Sequence, residues 1–524
     1  HPLSLHGALP IFTKLSSAAL RGLEAVEVEV EVNSPGTGVP RMVIVGLPDA
    51  AVRESAERVS SAVDASALSR GDGAITINLA PADLRKEGPS FDLPIALGVV
   101  ACAEKSQLGR ASDCQIHGEL ALDGSVRPVK GILSAAIEAK ARGKRRLLVP
   151  EQNAQEAAMV PGIEVFGVRG LRQAWDFLNG DEELAPVVPE VMRLNEAEAC
   201  SQDSLDLDEV KGQQSVKRAL EVAAAGSHNL LMVGPPGTGK SMLARRLPTI
   251  LPDMTEEEAI ETTRIHSIAG TLGPGEGLVR ARPFRSPHHT ISNAGLLGGG
   301  SNPGPGEISL ANNGVLFLDE LPEFRRQTLE VLRQPLEDGQ VTISRAAGSL
   351  TFPSKVLLVG SLNPCPCGYF ADPTRACSCT RGQVEKYRQK ISGPLLDRID
   401  LHVEVPLVDF RELSSRTSPE NSETVRERVR TCRVRQAERF RKAAGVRVNA
   451  DMRPGQVSRF CELDRKSSCL LEQAMEQLSF SARAYDRILK VARTVADLEG
   501  ADAVEEAHVM EAIHYRSLDR RLMG

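Results

Sequence analysis

Residues 228–241 read His228-Asn-Leu-Leu-Met-Val-Gly-Pro-Pro-Gly-Thr-Gly-Lys-Ser241: an apolar strand, a glycine-rich turn, then Lys240 and Ser241 opening a helix. The spacing G-x-x-x-x-G-K-[ST] between a strand and a helix predicts a phosphate-binding loop. Gly234, Pro235, Pro236, Gly237, Thr238 and Gly239 are expected to fold around a polyphosphate and present backbone N–H groups to it. The positive end of the following helix adds to that field. Lys240 is expected to reach the β- and γ-phosphates, and the Ser241 hydroxyl to ligate Mg²⁺. The chain is therefore expected to bind a nucleoside triphosphate.

Further along, Asn313-Gly-Val-Leu-Phe-Leu-Asp-Glu320 is an apolar strand ending in two carboxylates. Asp319 suits Mg²⁺ held through its water shell, and Glu320 is placed to orient and activate an attacking water. The next strand, Lys355-Val-Leu-Leu-Val-Gly-Ser-Leu-Asn363, ends in an amide that can position the same water. Taken alone, an asparagine at a strand end is also a common turn or cap residue.

At 524 residues the chain exceeds one core, and about three domains are expected. The net charge of −6 excludes a polycation, so any nucleic-acid contact must be a local basic surface. No run of eighteen apolar residues occurs, so no membrane-spanning helix is expected. Residues 1–12 lack an initiator Met, read as a non-native scar and carry no secretory signal. Residues 13–180 mix strands with helices. Val26–Val32 alternates apolar and acidic residues, Arg41–Gly46 and Ala74–Leu79 are further strands, and Ala50–Ala67 and Gly131–Arg142 have helical spacing. Residues 181–208 read as an acidic linker, and 209–405 as a parallel α/β layer around the phosphate loop. Residues 406–524 form the C-terminal part, helical from 422. There Val425, Val429 and Cys432 share one stripe, and Asp502 and Glu505 have capping-box spacing.

Ten cysteines in such a chain do not form a disulfide framework. Cys365, Cys367, Cys377 and Cys379 form two C-x-C pairs, which points to a structural Zn²⁺. Metal-free thiols and a redox or iron–sulfur role are the alternatives. His288 and His289 are adjacent, so their side chains are expected to diverge rather than share an ion. Gln340–Phe352 reads as a β-hairpin with its tip near Arg345–Gly348. The arginine-rich helix Val425–Lys442 is either a basic patch or a solvated, ion-paired helix.

Four longer strings narrow the reading: Arg282-Pro-Phe-Arg-Ser-Pro-His-His289, Pro305-Gly-Glu-Ile-Ser-Leu310, Asn363-Pro-Cys-Pro-Cys-Gly368 and Leu395-Leu-Asp-Arg-Ile-Asp400. Together with the phosphate loop and Leu316-Phe-Leu-Asp-Glu320, they resemble the magnesium-chelatase-like AAA+ ATPases of the ComM/YifB competence family over residues 13–524. The resemblance implies an α/β protein. It would have an N-terminal Lon-protease-like (ribosomal S5 domain 2-like) α+β domain at 13–180. A central AAA+ P-loop domain follows at 209–405, with a Cys₄ insertion at 365–379, and a helical lid at 406–524. It further implies ATP as nucleotide and a homo-oligomeric, hexameric ring. Arg398 matches the arginine finger supplied to a neighbour, and Arg483 the second sensor arginine on the lid. The hairpin at Arg345 would grip DNA through phosphates, without sequence preference.

Lys86-Glu-Gly-Pro-Ser90 resembles the segment of Lon protease that carries its nucleophilic serine. Gly118–Gly131 resembles the one before its catalytic lysine. The lysine position falls on Leu133, and Lys130 lies three residues earlier, so the dyad is expected to be broken. The family resemblance thus implies a bacterial, cytoplasmic ATP-driven helicase that moves single-stranded or branched DNA. Its place is the integration of DNA during natural transformation, or recombination. The alternatives are a chelatase-type or protein-remodelling ATPase without DNA, and an ATP-switched scaffold. A D-x-S-x-S metal-adhesion motif, typical of the chelatase motor's partner, is absent from the chain.

Overall fold

The computed structural model describes residues 11–35, 38–189, 205–273, 275–300, 303–345, 348–370, 375–408, 420–443, 445–478 and 480–518. Residues 1–10 and 190–204, which hold most of the expected scar and linker, lie outside the described residues. Ile11 and Phe12, set aside with the scar, instead open a strand and pair with Ser34 and Asn33. The chain divides into two compact units, residues 1–193 with 259–279, and residues 194–258 with 280–524.

The first unit is built on a mixed seven-stranded sheet. Its order is Arg41–Val45, Ala74–Ala80, Glu24–Ser34, Ile11–Arg21, Cys114–Ile116, Arg146–Pro150 and Glu164–Val168. Alternation in Glu24–Ser34 works as its sequence suggests: Val28, Val30 and Val32 are buried, and the glutamates between them face the other side. The helix Asp92–Glu104 is apolar all round and is enclosed on nearly every side. The helices expected at Ala50–Ala67 and Gly131–Arg142 form as Ala50–Arg53 with Ser55–Ala65, and as Ile132–Ala141.

Ala259–Val279 clusters with this unit, although the sequence reading placed it in the ATPase region. Ser267 Oγ donates to the buried Glu156 carboxylate, and Arg264 donates to the Leu23 carbonyl at 2.6 Å. The Glu156 carboxylate also accepts from the Leu133 N–H at 2.8 Å. Its burial raises its pKa against the pull of these donors.

The second unit carries a five-stranded, all-parallel sheet in the order Phe284–Arg285, Val315–Leu318, Leu357–Leu362, Leu230–Val233 and Leu401–Glu404. Both faces are covered, so Leu230–Val233 and Val315–Leu318 are apolar and buried throughout. Leu230 and Met232 enter one core with Leu220, Leu243 and Leu247 of the helices Gln214–Gly226 and Lys240–Ile250. Leu231 and Val233 enter another with Leu329 and Leu396. Three central strands therefore end on one edge, where parallel sheets place their ligands.

The C-terminal part is helical: Ser422–Phe440, Pro454–Phe460, Arg465–Leu478, Ala482–Leu498 and Glu506–His514. Val425, Val429 and Cys432 are buried as one stripe. The last helix is capped by Glu505 with His508, not by the expected Asp502–Glu505 pair; the helix starts one residue after Glu505, which puts that residue at the cap. A buried polar chain ties the sheet to the C-terminal helices. His228 hydrogen-bonds Asp400 at 3.2 Å and Thr494 at 2.8 Å, and Arg487 pairs with Asp400. Burial alone would raise the Asp400 pKa, but Arg487 and His228 outweigh it and hold the carboxyl well below its ordinary range.

Candidate functional site

The buried strand Leu230–Val233 delivers the chain into the loop Gly234–Gly239. Gly234 lies so close to the Val405 carbonyl that a Cβ there would overlap it. Lys240 begins the next helix, and its ammonium donates to the Gly234 carbonyl at 2.7 Å, the Pro235 carbonyl at 2.8 Å and Asn363 Oδ1 at 3.1 Å. Burial lowers its pKa, and Asp319 and Glu320 oppose that shift. Thr238 Oγ1 donates to the Pro235 carbonyl at 3.0 Å.

Ser241 Oγ donates to Asp319 Oδ2 at 2.7 Å. The other Asp319 oxygen accepts the Ser361 hydroxyl. Glu320 takes left-handed backbone geometry, φ +52°, and its N–H donates to Ser361 Oγ and Asp319 Oδ1, each at 3.1 Å. The structure thus brings together Lys240, Ser241, Asp319, Glu320 and Asn363 from three strand ends.

Two residues escaped the sequence reading. Ser361 stands two positions before Asn363 and orients the acid pair from the neighbouring strand. Gln213 is buried and donates to the Thr238 carbonyl at 2.8 Å and the Pro406 carbonyl at 3.1 Å, bracing the loop from below. Neither carries a periodic or motif signal, because both act across the fold.

The four cysteines also converge. Cys365, Cys367, Cys377 and Cys379 offer sulfurs that all lie within 4.8 Å of one another. Cys365 to Cys367, Cys365 to Cys377 and Cys367 to Cys377 measure 3.3, 3.7 and 3.5 Å. A tetrahedral zinc with Zn–S bonds of about 2.3 Å has sulfur–sulfur edges of about 3.8 Å, so the donor set fits that ion. The Tyr369 backbone N–H pulls the Cys367 thiol down to about 5, whereas burial and the neighbouring sulfurs raise Cys377 and Cys379.

Residues 206–413 match the family described as magnesium chelatase, subunit ChlI. Residues 28–153 match subunit ChlI of Mg-chelatase, and 419–516 match the C-terminal part of that subunit. Across 507 residues the chain is 43% identical to competence protein ComM of Haemophilus influenzae, covering 97% of each. The chain belongs to the ComM/YifB family. Over 507 residues it is also 42% identical to YifB of Escherichia coli, covering 96% of this chain and 97% of YifB. A shorter likeness, 24% over 165 residues, joins 29% of this chain to 29% of Lon protease 2 of Bacillus subtilis.

As a ComM/YifB-family AAA+ ATPase, the chain has the expected parallel sheet and helical C-terminal part. Its two candidate arginines stand differently from the rest. Arg398 is buried and donates to the Arg333 carbonyl at 3.0 Å and the Pro394 carbonyl at 2.7 Å, and it pairs with Glu337 at 2.6 Å. Arg483 is exposed on the first turn of Ala482–Leu498. Among the described residues, no hydrogen bond joins either arginine to the phosphate loop of its own chain.

Leu133 is buried, Lys130 Nζ donates to the Ala269 carbonyl at 3.2 Å, and the Ser90 carbonyl accepts from Gly118. The His288 and His289 rings do not diverge: their centroids lie 4.1 Å apart with the planes tilted by 34°, because the segment is a loop and not a strand or helix. No ion group includes them among the described residues. The hairpin forms from Gln340–Arg345 and Gly348–Pro353, and residues 346–347 at its tip lie outside the described residues. Most charges of the arginine-rich helix are spent locally: Arg428 pairs with Glu221 and Glu420, Arg439 with Asp497, Arg430 with Asp253, and Arg433 donates to the Ala224 carbonyl. No helix among the described residues is long and apolar enough to cross a membrane.

Proposed function

We propose that this ATPase is a DNA motor: a cytoplasmic bacterial ring of six copies that moves single-stranded or branched DNA without sequence preference. The reading places it in the integration of DNA during natural transformation, or in recombination. The observation that carries it is the bonded set Lys240–Asn363 and Ser241–Asp319–Ser361 in a chain alike end to end to a competence protein. The hairpin Gln340–Pro353, inserted between the strands that bear Asp319 and Asn363, is the element assigned to DNA; Arg345, whose side chain lies outside the described part of the structure, is the residue assigned to phosphates.

In this reading Gly234–Gly239 and Lys240 hold the phosphates. Mg²⁺, when bound, supplies positive charge to the β- and γ-phosphate oxygens. Ser241 Oγ and the Asp319 carboxylate, hard oxygen donors 2.7 Å apart, are the residues that would hold it. Glu320 accepts the proton of the attacking water and Asn363 aligns it. Arg398 serves a neighbour's site, and Arg483 reads nucleotide from the lid. The N-terminal unit is read as a Lon-protease-like fold without peptidase chemistry, since Leu133 replaces the general base.

ATP turnover is expected to rise with single-stranded or branched DNA and not with porphyrin, and the protein should migrate the branch point of a synthetic four-way junction. Turnover indifferent to every DNA would refute the motor reading. The four-cysteine group is assigned structural zinc, because protein ligands fill every position. Elemental analysis after a chelator-free, reducing preparation should find about one zinc per chain.

A further inference from the structure

The four-cysteine knuckle begins where the catalytic strand ends. Asn363, which receives the Lys240 ammonium at 3.1 Å, is followed directly by Pro364 and the fully buried Cys365. The knuckle then turns back on the phosphate loop. Its Gly368 donates to the Cys365 carbonyl at 3.0 Å, at φ +87°, and a Cβ there would lie 2.5 Å from Pro236 Cδ and 3.1 Å from its Cγ. Pro236 is at the exposed crest of the loop. On its far side the knuckle runs from Cys377 and Cys379 into the helix Arg381–Arg388, capped by Thr380 with Gln383. Arg388 of that helix donates back to the Pro364 carbonyl at 3.3 Å and lies over the Phe370 ring at 5.0 Å. The two cysteine pairs thus sit on two arms, one continuous with Asn363 and the other with this helix. A shared ion would join the two arms, and so fix Cys365 and Gly368 beside Pro236.

We propose that metal at Cys365, Cys367, Cys377 and Cys379 sets how tightly the phosphate loop holds nucleotide, through Asn363 and the Gly368–Pro236 contact. The proposal rests on the zinc and phosphate-loop readings above. Coupling of two bound species is reciprocal, so nucleotide must tighten the metal by the same factor. No hydrolysis is involved.

The test uses the full-length protein, zinc, and a fluorescent ADP with Mg²⁺. Zinc removal should weaken ADP about fivefold or more, and zinc return should restore it. Saturating ADP should strengthen zinc by that same factor, read by equilibrium competition with a chromogenic chelator. Gly368→Ala keeps all four thiols. It should retain one zinc per chain, bind ADP more weakly and lose the ADP dependence of zinc affinity. Zinc that binds with unchanged affinity whether or not ADP is present overturns the coupling while leaving the metal site standing. Reduced protein that takes up no zinc refutes the metal reading, and zinc-loaded protein that binds no ADP refutes the phosphate-loop reading. Either takes the proposal with it.

Discussion

Glu320→Gln protein is expected to bind ATP with near wild-type affinity and to lose at least about a hundredfold in turnover, the range of a missing general base. The reason lies in which atoms of Glu320 are committed. Its bonds to Ser361 and Asp319 are made by its backbone N–H, so the amide variant keeps them and the left-handed turn with them. Its side chain is exposed beyond the acid pair, where glutamine preserves shape but accepts no proton. Steady-state phosphate release set against equilibrium binding of a fluorescent ATP separates the two steps. An unchanged turnover number would remove Glu320 from the chemistry, and lost binding would assign it to nucleotide affinity instead.

Lys240→Ala should fail earlier, at binding. The ammonium is held by two of the loop's own carbonyls and by Asn363. A charge-assisted hydrogen bond is worth about 1.5–3 kcal/mol, so ATP affinity should fall about tenfold to a hundredfold and turnover should vanish from a sensitive assay. The variant also frees Asn363 from its anchor, the Lys240 ammonium at 3.1 Å. Retained turnover in Lys240→Ala would refute the site. Circular dichroism of the variant should match wild type, because alanine is a strong helix former at the position that opens Lys240–Ile250.

The strand, loop and helix around Gly234 were legible in the sequence because each depends on neighbours within a few residues: apolar run, glycines, helix-opening lysine. Asp319 and Asn363 were legible for the same reason, as polar residues that end apolar strands. Ser361 and Gln213 were not, since their partners lie some 40 and 25 residues away along the chain and meet them only through sheet register and loop packing. The closeness of the His288 and His289 rings was missed because alternation rules describe strands and helices, and this segment is neither. Ala259–Val279 was assigned by its place between two ATPase strands. Its buried face contains Thr262, Thr263 and Ser267, so no amphipathic stripe announced that it packs with the first unit.

That segment has a practical consequence for anyone cutting the gene. The chain passes from one unit to the other at about residue 193, returns for 259–279, and leaves again. No single cleavage point yields both units whole. A fragment starting at 194 would expose Ile265 and strand Ser267 without Glu156, and a fragment ending at 193 would leave Glu156 without that hydroxyl donor and Ser134 without Arg264. Truncations at either boundary would therefore report on a damaged surface. Dissecting this protein calls for point substitutions in the intact chain.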